Sequence, residues 1–273
     1  MANDVGFAAS PALAGMPLPA GQIGKNHVLG VRVDDVDGRA IVARIAQAID
    51  EDRRAVFINV NAHLLTLAAP RRWLRTFVAN TEVAFCDGVG AQLGFWFLHG
   101  KRIARSTAPQ WIDDVGREVA ARGGSVYWLG GKPAAALQAA EAFERRHGVR
   151  TAGVQHGYFD HRPKSAENQA VVRRINEAKP DLLLVNMTMP LQEMWLHNHW
   201  HELNATVALT GGALVDHVAG LVRRPPQWVS DCGIEWAYRL ALEPRRLARR
   251  YLLGLPVFGY RLLLEKVARQ LHG

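Results

Sequence analysis

The sequence predicts an α/β fold: a mostly parallel sheet with helices on both faces, extended by a basic helical C-terminal appendage. Three observations predict it. Short apolar runs rich in Val, Ile and Leu alternate with longer segments of helical period, the rhythm of βα units with a buried parallel sheet. The apolar runs end in Asn, Asp or Gly, residues suited to tight βα turns. Past Trp228 the alternation stops, and arginines appear among aromatic and aliphatic residues.

Taken in order, residues 1–25 are rich in Ala, Gly and Pro without periodicity and are expected to be a flexible tail. His27–Val33 is a short strand and Gly38–Ile49 a helix. Ala55–Asn61 is a buried strand followed by helix Ala62–Ala69. Glu82–Cys86 is a strand leading into Asp87-Gly88. Ser125–Leu129 runs into Gly130-Gly131-Lys132-Pro133, which opens helix Ala134–His147. Strand Arg150–His156 ends at Gly157-Tyr158-Phe159, and Glu167–Ala178 is a helix. Strand Asp181–Asn186 precedes Pro190 and helix Leu191–His201. Strand Thr206–Leu209 ends at Gly211-Gly212. The core is thus expected to span 26–228, and residues 229–273 to form the appendage. Its helices are Gly233–Leu242, Pro244–Leu253 and Phe258–Leu271, punctuated by Pro244 and Pro256.

Charge is concentrated at one end. The chain has 273 residues and a net charge of +8. Arg239 to Arg269 holds eight basic and two acidic residues, so 8 − 2 = +6 of that total. Such a segment suits an anionic membrane surface. Arg239, Arg245, Arg246, Arg249 and Arg250, with Arg224 before them, are its candidate contacts to phosphate and headgroups. No apolar run reaches the ~18–20 residues of a membrane span. The N-terminal segment is broken by Pro11, Pro17 and Pro19 and lacks a signal peptide's apolar core. The expected location is therefore cytoplasmic, peripheral to the inner face of the cytoplasmic membrane. Two cysteines, Cys86 and Cys232, make no disulfide framework and are expected to be buried thiols.

The polar residues gather at strand ends. Asn59 and Asn61 close one strand, Asp87-Gly88 the next, Gly130-Gly131 another. Asn186 through Gln192-Glu193 follows a fourth, and Gly211-Gly212 with Asp216 the last. Parallel sheets bind ligands outside the carboxyl ends of their strands. Glycines there let backbone N–H groups approach phosphate. Asp87 could deprotonate an acceptor hydroxyl, or simply cap the next helix. Arg105 could hold a diphosphate bidentately, or be a solvated surface residue. His197 and His201 share a helix face at metal-ligand spacing, but no Cys or carboxylate completes a site. A dinucleotide fingerprint, a P-loop, a nucleophile elbow and a zinc signature are all absent.

Together, Asn61, Asp87-Gly88, Leu129-Gly130-Gly131, Gly157-Tyr158-Phe159, Pro190-x-Gln192-Glu193, Gly211-Gly212 with Asp216, Arg224-x-Pro226 and the Glu235-Trp236 segment resemble the WecG/TagA/CpsF family of bacterial glycosyltransferases. The resemblance implies a Rossmann-like α/β core and an inverting transfer of a sugar from a UDP-sugar to a saccharide on a polyprenyl diphosphate, in exopolysaccharide or cell-wall polymer assembly. It places Asp87 on the family's proposed base, Asn61 on its active-site asparagine and Arg105 on its diphosphate-binding arginine. It implies metal-independent action without cofactor, and a membrane-contacting basic tail. Departures surround the expected nucleotide-sugar pocket. Asn59 stands where the family usually has Thr; Asn186, Thr188 and Leu191 replace two glycines and a lysine; Ala108 and Gln110 replace a Gly and an Asp. N-acetylmannosamine and glucose are both left open as donor sugar. The alternative is a divergent non-catalytic or nucleic-acid-binding α/β protein using the basic tail. No RNA- or DNA-binding motif is present, and the tail's apolar residues have helical spacing, so nucleic acid is not an expected partner. A homo-oligomer is left open.

Overall fold

A computed structural model describes residues 26–222, 235–242, 244–248 and 252–272. The expectations for residues 1–25, Arg224, Cys232, Arg249 and Arg250 fall outside these residues. The side chains of Trp236, Arg239, Arg245 and Arg246 fall outside them too.

The chain opens on two short strands, β1 (His27–Val28) and β2 (Val31–Arg32), paired antiparallel. The single strand expected over His27–Val33 is therefore a hairpin. Its turn puts Leu29 (φ 53°) and Gly30 (φ 72°) in the left-handed region. Two positive φ angles in a row match the twist of a two-residue hairpin. Leucine is costly there, and the apolar run of Val residues masked the turn.

Helix α1 (Gly38–Asp50) follows, capped by the Asp37 side chain on Ala40 N. Then come β3 (Ala55–Val60), α2 (Ala62–Ala68), α3 (Arg72–Ala79), β4 (Val83–Cys86), α4 (Val89–His99) and α5 (Ala108–Ala121). Next are β5 (Ser125–Gly130), α6 (Pro133–His147), β6 (Arg150–Gln155), α7 (Ala166–Ala178), β7 (Leu182–Asn186) and α8 (Leu191–His199). A short 3₁₀ turn (Trp200–Glu202), β8 (Val207–Thr210) and α9 (Leu214–Val218) complete the α/β unit. The C-terminal segment gives α10 (Glu235–Leu242), α11 (Pro244–Ala248) and α12 (Gly254–His272). Pro256 lies inside the first turn of α12, where its missing N–H costs no helical bond.

Six strands, β3 to β8, form one parallel sheet in the order β4-β3-β8-β7-β5-β6. Right-handed crossovers then fix which face each helix covers. Connections running towards β4 place α2, α3, α7 and α8 on one face, with Leu64, Phe77, Val171 and Trp195 buried there. Connections running towards β6 place α5 and α6 on the other, with Trp111, Val115 and Phe143. Helices α1 and α9 join that second layer through Ile41, Ile45 and Val215. The connections leaving β5 and β7 run in opposite directions. A crevice therefore opens at their carboxyl ends, the usual ligand position in such sheets.

Helix α12 is bound into the same packing. Phe258 and Leu262 are buried in the first core layer with Phe95 and Leu65. Gly94 of α4 leaves the space that the Phe258 ring occupies. Lys266 Nζ donates to Phe97 O at 2.9 Å and lies over the Phe97 ring. Glu265 Oε2 accepts from Leu29 N at 2.7 Å, and Arg269 Nη2 donates to His27 O at 2.9 Å. These bonds fasten the end of the chain to the strained turn at its beginning. The boundary drawn at residue 229 therefore does not separate two packing units.

Candidate active site

The sequence-expected polar residues do meet along the carboxyl edge of the sheet, but they divide into groups. The first lies over β4, β3 and β8. Asn59, the penultimate residue of β3, is buried, and its Nδ2 donates to Asp87 Oδ2 at 3.0 Å. Asn59 Oδ1 accepts from Thr210 Oγ1 at 2.7 Å and from Gln192 Nε2 at 3.3 Å. Thr210 Oγ1 also accepts from Asn59 N at 3.1 Å, fastening β8 to β3 through side chains. Gln192 Nε2 donates its other hydrogen to Glu193 Oε1 at 2.7 Å, and Gln192 Oε1 accepts from Gly212 N at 3.1 Å.

Asp87 is partly exposed at the end of β4, where its N–H donates to Val60 O at 2.8 Å. It does not cap α4. The capping position belongs to Gly88 (φ 92°), which makes no side-chain cap bond. Asn61 has the opposite fate. Its Oδ1 accepts from His63 N and Leu64 N, both at 3.1 Å, so it is the N-cap of α2. Only its amide N–H₂ is left to serve a ligand. Arg105 follows the loop after α4, next to Ser106, whose N–H donates to Cys86 O at 2.8 Å. That bond sets the Arg105 backbone beside the end of β4. Arg105 and Asp87 both act electrostatically on the Cys86 thiol, which burial, foremost, and the Asp87 charge push up to about 12.

The second group lies at the crevice between β5 and β7. Gly131 N donates to Asn186 O at 2.9 Å, and Gly157 N to Gly131 O at 2.9 Å. Gly130 (φ 120°) runs so close to the Asn186 backbone that any Cβ would collide with its carbonyl group. Gly211 leaves equivalent room for Asn186 Oδ1. These glycines allow β5, β7 and the loop after β8 to converge, the close approach expected of them. Asp216 lies in α9, whose Val215 packs on Gly131. Four strand spacings separate the ends of β4 and β5, about 19 Å. Asp87 and Gly130-Gly131 thus stand at separate places along the carboxyl edge.

Gln192 and Glu193 have no exposed surface. They form the floor beneath Asn59, to which Gln192 Nε2 donates. Burial raises the Glu193 carboxyl to about 7, against its bonds to Gln192 and its own N–H. Thr210 was not among the residues expected from sequence. Its signal was a lone hydroxyl closing an apolar strand before Gly211-Gly212. The histidines serve packing. His197 lies against Trp73 and Phe77, with its basicity lowered by burial, and His199 is bonded by Asn168 and Glu202. Among the described residues no group of three His, Cys, Asp or Glu side chains could hold a metal ion.

Comparison with known proteins places this geometry. The sequence pattern of the glycosyl transferase WecG/TagA/CpsF family matches residues 26–272. A similar protein of Staphylococcus aureus strain NCTC 8325, described as N-acetylglucosaminyldiphosphoundecaprenol N-acetyl-beta-D-mannosaminyltransferase, is 25% identical over 244 residues. The match covers 89% of this chain and 93% of that relative. A protein of the same description from strain MRSA252 is 24% identical over the same shares. The parallel sheet, the carboxyl-edge crevice and a match over nearly the whole described chain agree: this protein belongs to the WecG/TagA/CpsF family of glycosyltransferases.

Proposed function

We infer that this glycosyltransferase moves a hexose from a UDP-sugar to a saccharide carried on a polyprenyl diphosphate, with Asp87 as general base. The observation that carries the reading is the Asp87 carboxylate, held by Asn59 at the edge of the crevice and partly exposed. The acceptor class follows the staphylococcal relatives, whose description names a diphosphoundecaprenol-linked acceptor. In the reaction the acceptor hydroxyl oxygen bonds to the sugar C1 from the face opposite UDP. The C1–O bond to UDP breaks with its electron pair, and the hydroxyl proton passes to Asp87. Charge develops on the leaving diphosphate. Arg105, whose backbone lies beside the end of β4, is the group to meet it.

The reading requires no metal. Purified enzyme is expected to release UDP from one sugar of a panel (UDP-glucose, UDP-N-acetylmannosamine, UDP-N-acetylglucosamine, UDP-glucuronate), only when a polyprenyl-diphosphate saccharide is supplied in detergent. EDTA is expected to leave that rate unchanged. A rate abolished by EDTA and restored by magnesium would overturn the metal-free part. No release with any donor would overturn glycosyl transfer to this acceptor class.

Membrane contact is the second element of the proposal. On α12, Val257, Tyr260, Leu264, Val267 and Leu271 are all exposed and recur at three- and four-residue spacing. Leu93 and Trp96 of the adjoining α4 are exposed as well. An apolar stripe of this length beside Lys266 and Arg269 suits a helix lying in a lipid interface. No described helix is long and apolar enough to cross a membrane. Val267→Glu is expected to weaken sedimentation with anionic liposomes by about tenfold, since it places a charge in the exposed stripe that would enter the lipid. Unchanged binding would remove α12 from the contact.

A further inference from the structure

The first group of residues is a directed chain of amides. Gly212 N–H donates to Gln192 Oε1, Gln192 Nε2 to Asn59 Oδ1, and Asn59 Nδ2 to Asp87 Oδ2, at 3.1, 3.3 and 3.0 Å. Each link decides the next. The Gly212 donor requires an oxygen opposite it, so the Gln192 amide turns its N–H₂ towards Asn59 and Glu193. Two donors, Gln192 Nε2 and Thr210 Oγ1, then converge on Asn59 and require an oxygen there. A flipped Asn59 would set its N–H₂ against the Gln192 N–H₂, take the acceptor from the Thr210 hydroxyl proton, and set its oxygen against the Asp87 carboxylate. Burial removes the water that would relieve that mismatch.

We propose that Asn59 and Thr210 are positioning residues for the base: Thr210 and Gln192 lock the Asn59 amide, and Asn59 occupies Asp87 Oδ2 so that Oδ1 is offered to the acceptor hydroxyl. This deepens the glycosyltransferase reading and rests on it. Asn59 acts here through Asp87 rather than on the donor sugar. The acceptor proton goes to Oδ1 as the acceptor oxygen bonds to C1 and UDP departs with the electron pair of the broken C1–O bond. A carboxylate free to rotate would spend part of its time with neither oxygen aligned. The chain also begins on Gly212, in the loop between β8 and α9. A ligand that moves this loop changes the first link and so reaches the base.

The test uses the full chain and the pair Thr210→Val and Thr210→Ser. Valine keeps the shape and removes both the donor to Asn59 Oδ1 and the acceptor of Asn59 N–H, whereas serine keeps both. The expected result is a roughly tenfold fall in kcat for valine, the scale of one lost hydrogen bond, and recovery in serine. KM for the donor and the Kd for UDP stay unchanged in both. In parallel, asparagine-selective ¹⁵N labelling reads the Asn59 side-chain amide. Its resonances are expected to move in Thr210→Val and in Asp87→Asn. Equal losses in valine and serine would overturn the proposal. So would a raised KM with unchanged kcat, which would make Asn59 a substrate contact. An Asn59 amide indifferent to Thr210→Val would overturn it without any activity being needed. Wild-type enzyme that transfers no sugar overturns the glycosyl-transfer reading alone, because the NMR arm still decides whether Asn59 is locked.

Discussion

Asp87→Asn is expected to lower acceptor-dependent UDP release by about 10²- to 10⁴-fold, the range that a positioned general base contributes. The substitution is close to isosteric, and an Asn oxygen can still accept from Asn59 Nδ2. Proton acceptance is lost while the local hydrogen bonds are kept. The structure removes the competing role, because Asp87 caps no helix. Folding is therefore expected to survive, with the melting temperature and UDP affinity near those of the wild type. Cys86, Asn59 and Glu193 cannot take over. Cys86 is buried, and its thiol is pushed up to about 12, so it stays protonated. Asn59 is a donor towards the site, and Glu193 lies beneath it without exposed surface. The check is the UDP-release assay with the best donor, on wild type and variant side by side. Release within about twofold of wild type would sink the assignment of Asp87 as base, while leaving the family and the fold intact.

The alternation of strands and helices was legible because each buried strand is nearly all apolar and each turn carries Gly, Asn or Asp. Six strands of the parallel sheet were found to within one or two residues. Four helices, α3, α4, α5 and the short α9, were not. Helix α4 is apolar almost all round (Val-Gly-Ala-Gln-Leu-Gly-Phe-Trp-Phe-Leu-His), so it shows no stripe. The reason is packing on two sides, against the sheet through Ala91 and Phe95 and against α12 through Gly94. Helix α5 begins with Ala-Pro-Gln, which resembles a loop until the Pro is seen in the first turn. Helix α3 carries three apolar residues to the core in a short, arginine-containing segment. The end of the chain was misjudged for a related reason. A basic amphipathic pattern signals a surface, but it does not say which surface. Phe258 and Leu262 face the protein, and Val257, Tyr260 and Leu264 face away from it.

The candidate site was legible as an edge and not as a network. Strand ends can be counted in a sequence, so Asn59, Asp87, Gly130 and Gly211 could be set in one row. Whether Asn61 or Asp87 caps a helix depends on one turn of backbone, and sequence spacing could not separate them. Thr210 and the burial of Gln192-Glu193 depend on β8 lying beside β3, a pairing of segments about 150 residues apart in the chain. No local pattern carries that information.

Glu193 is expected to make stability fall as pH rises. Its carboxyl is fully buried and raised from 4.5 to about 7. Below the ordinary value both folded and unfolded chains hold the proton, and the folded state has its full advantage. Between 4.5 and about 7 the unfolded chain loses the proton while the folded one keeps it. The folded state then binds more protons, so the slope of unfolding free energy against pH is negative. Above about 7 both are ionised and the loss is complete. At 1.36 kcal/mol per unit, the 2.5-unit gap corresponds to about 3 kcal/mol. His161 and His197, lowered mainly by burial, act with the opposite sign because their unfolded forms bind the extra proton. A single curve would therefore mix both effects. Glu193→Gln isolates one of them, since glutamine keeps the shape and cannot ionise. Its buried amide adds a cost that does not vary with pH, so the slope and not the level is the readout. Denaturant midpoints from pH 4.5 to 8 for both proteins should give a difference curve that turns against the wild type by about 3 kcal/mol. A flat difference would mean that Glu193 is already ionised in the folded protein at low pH. The Gln192 amide that donates to Asn59 would then be held on its other hydrogen by a carboxylate rather than by a neutral acid.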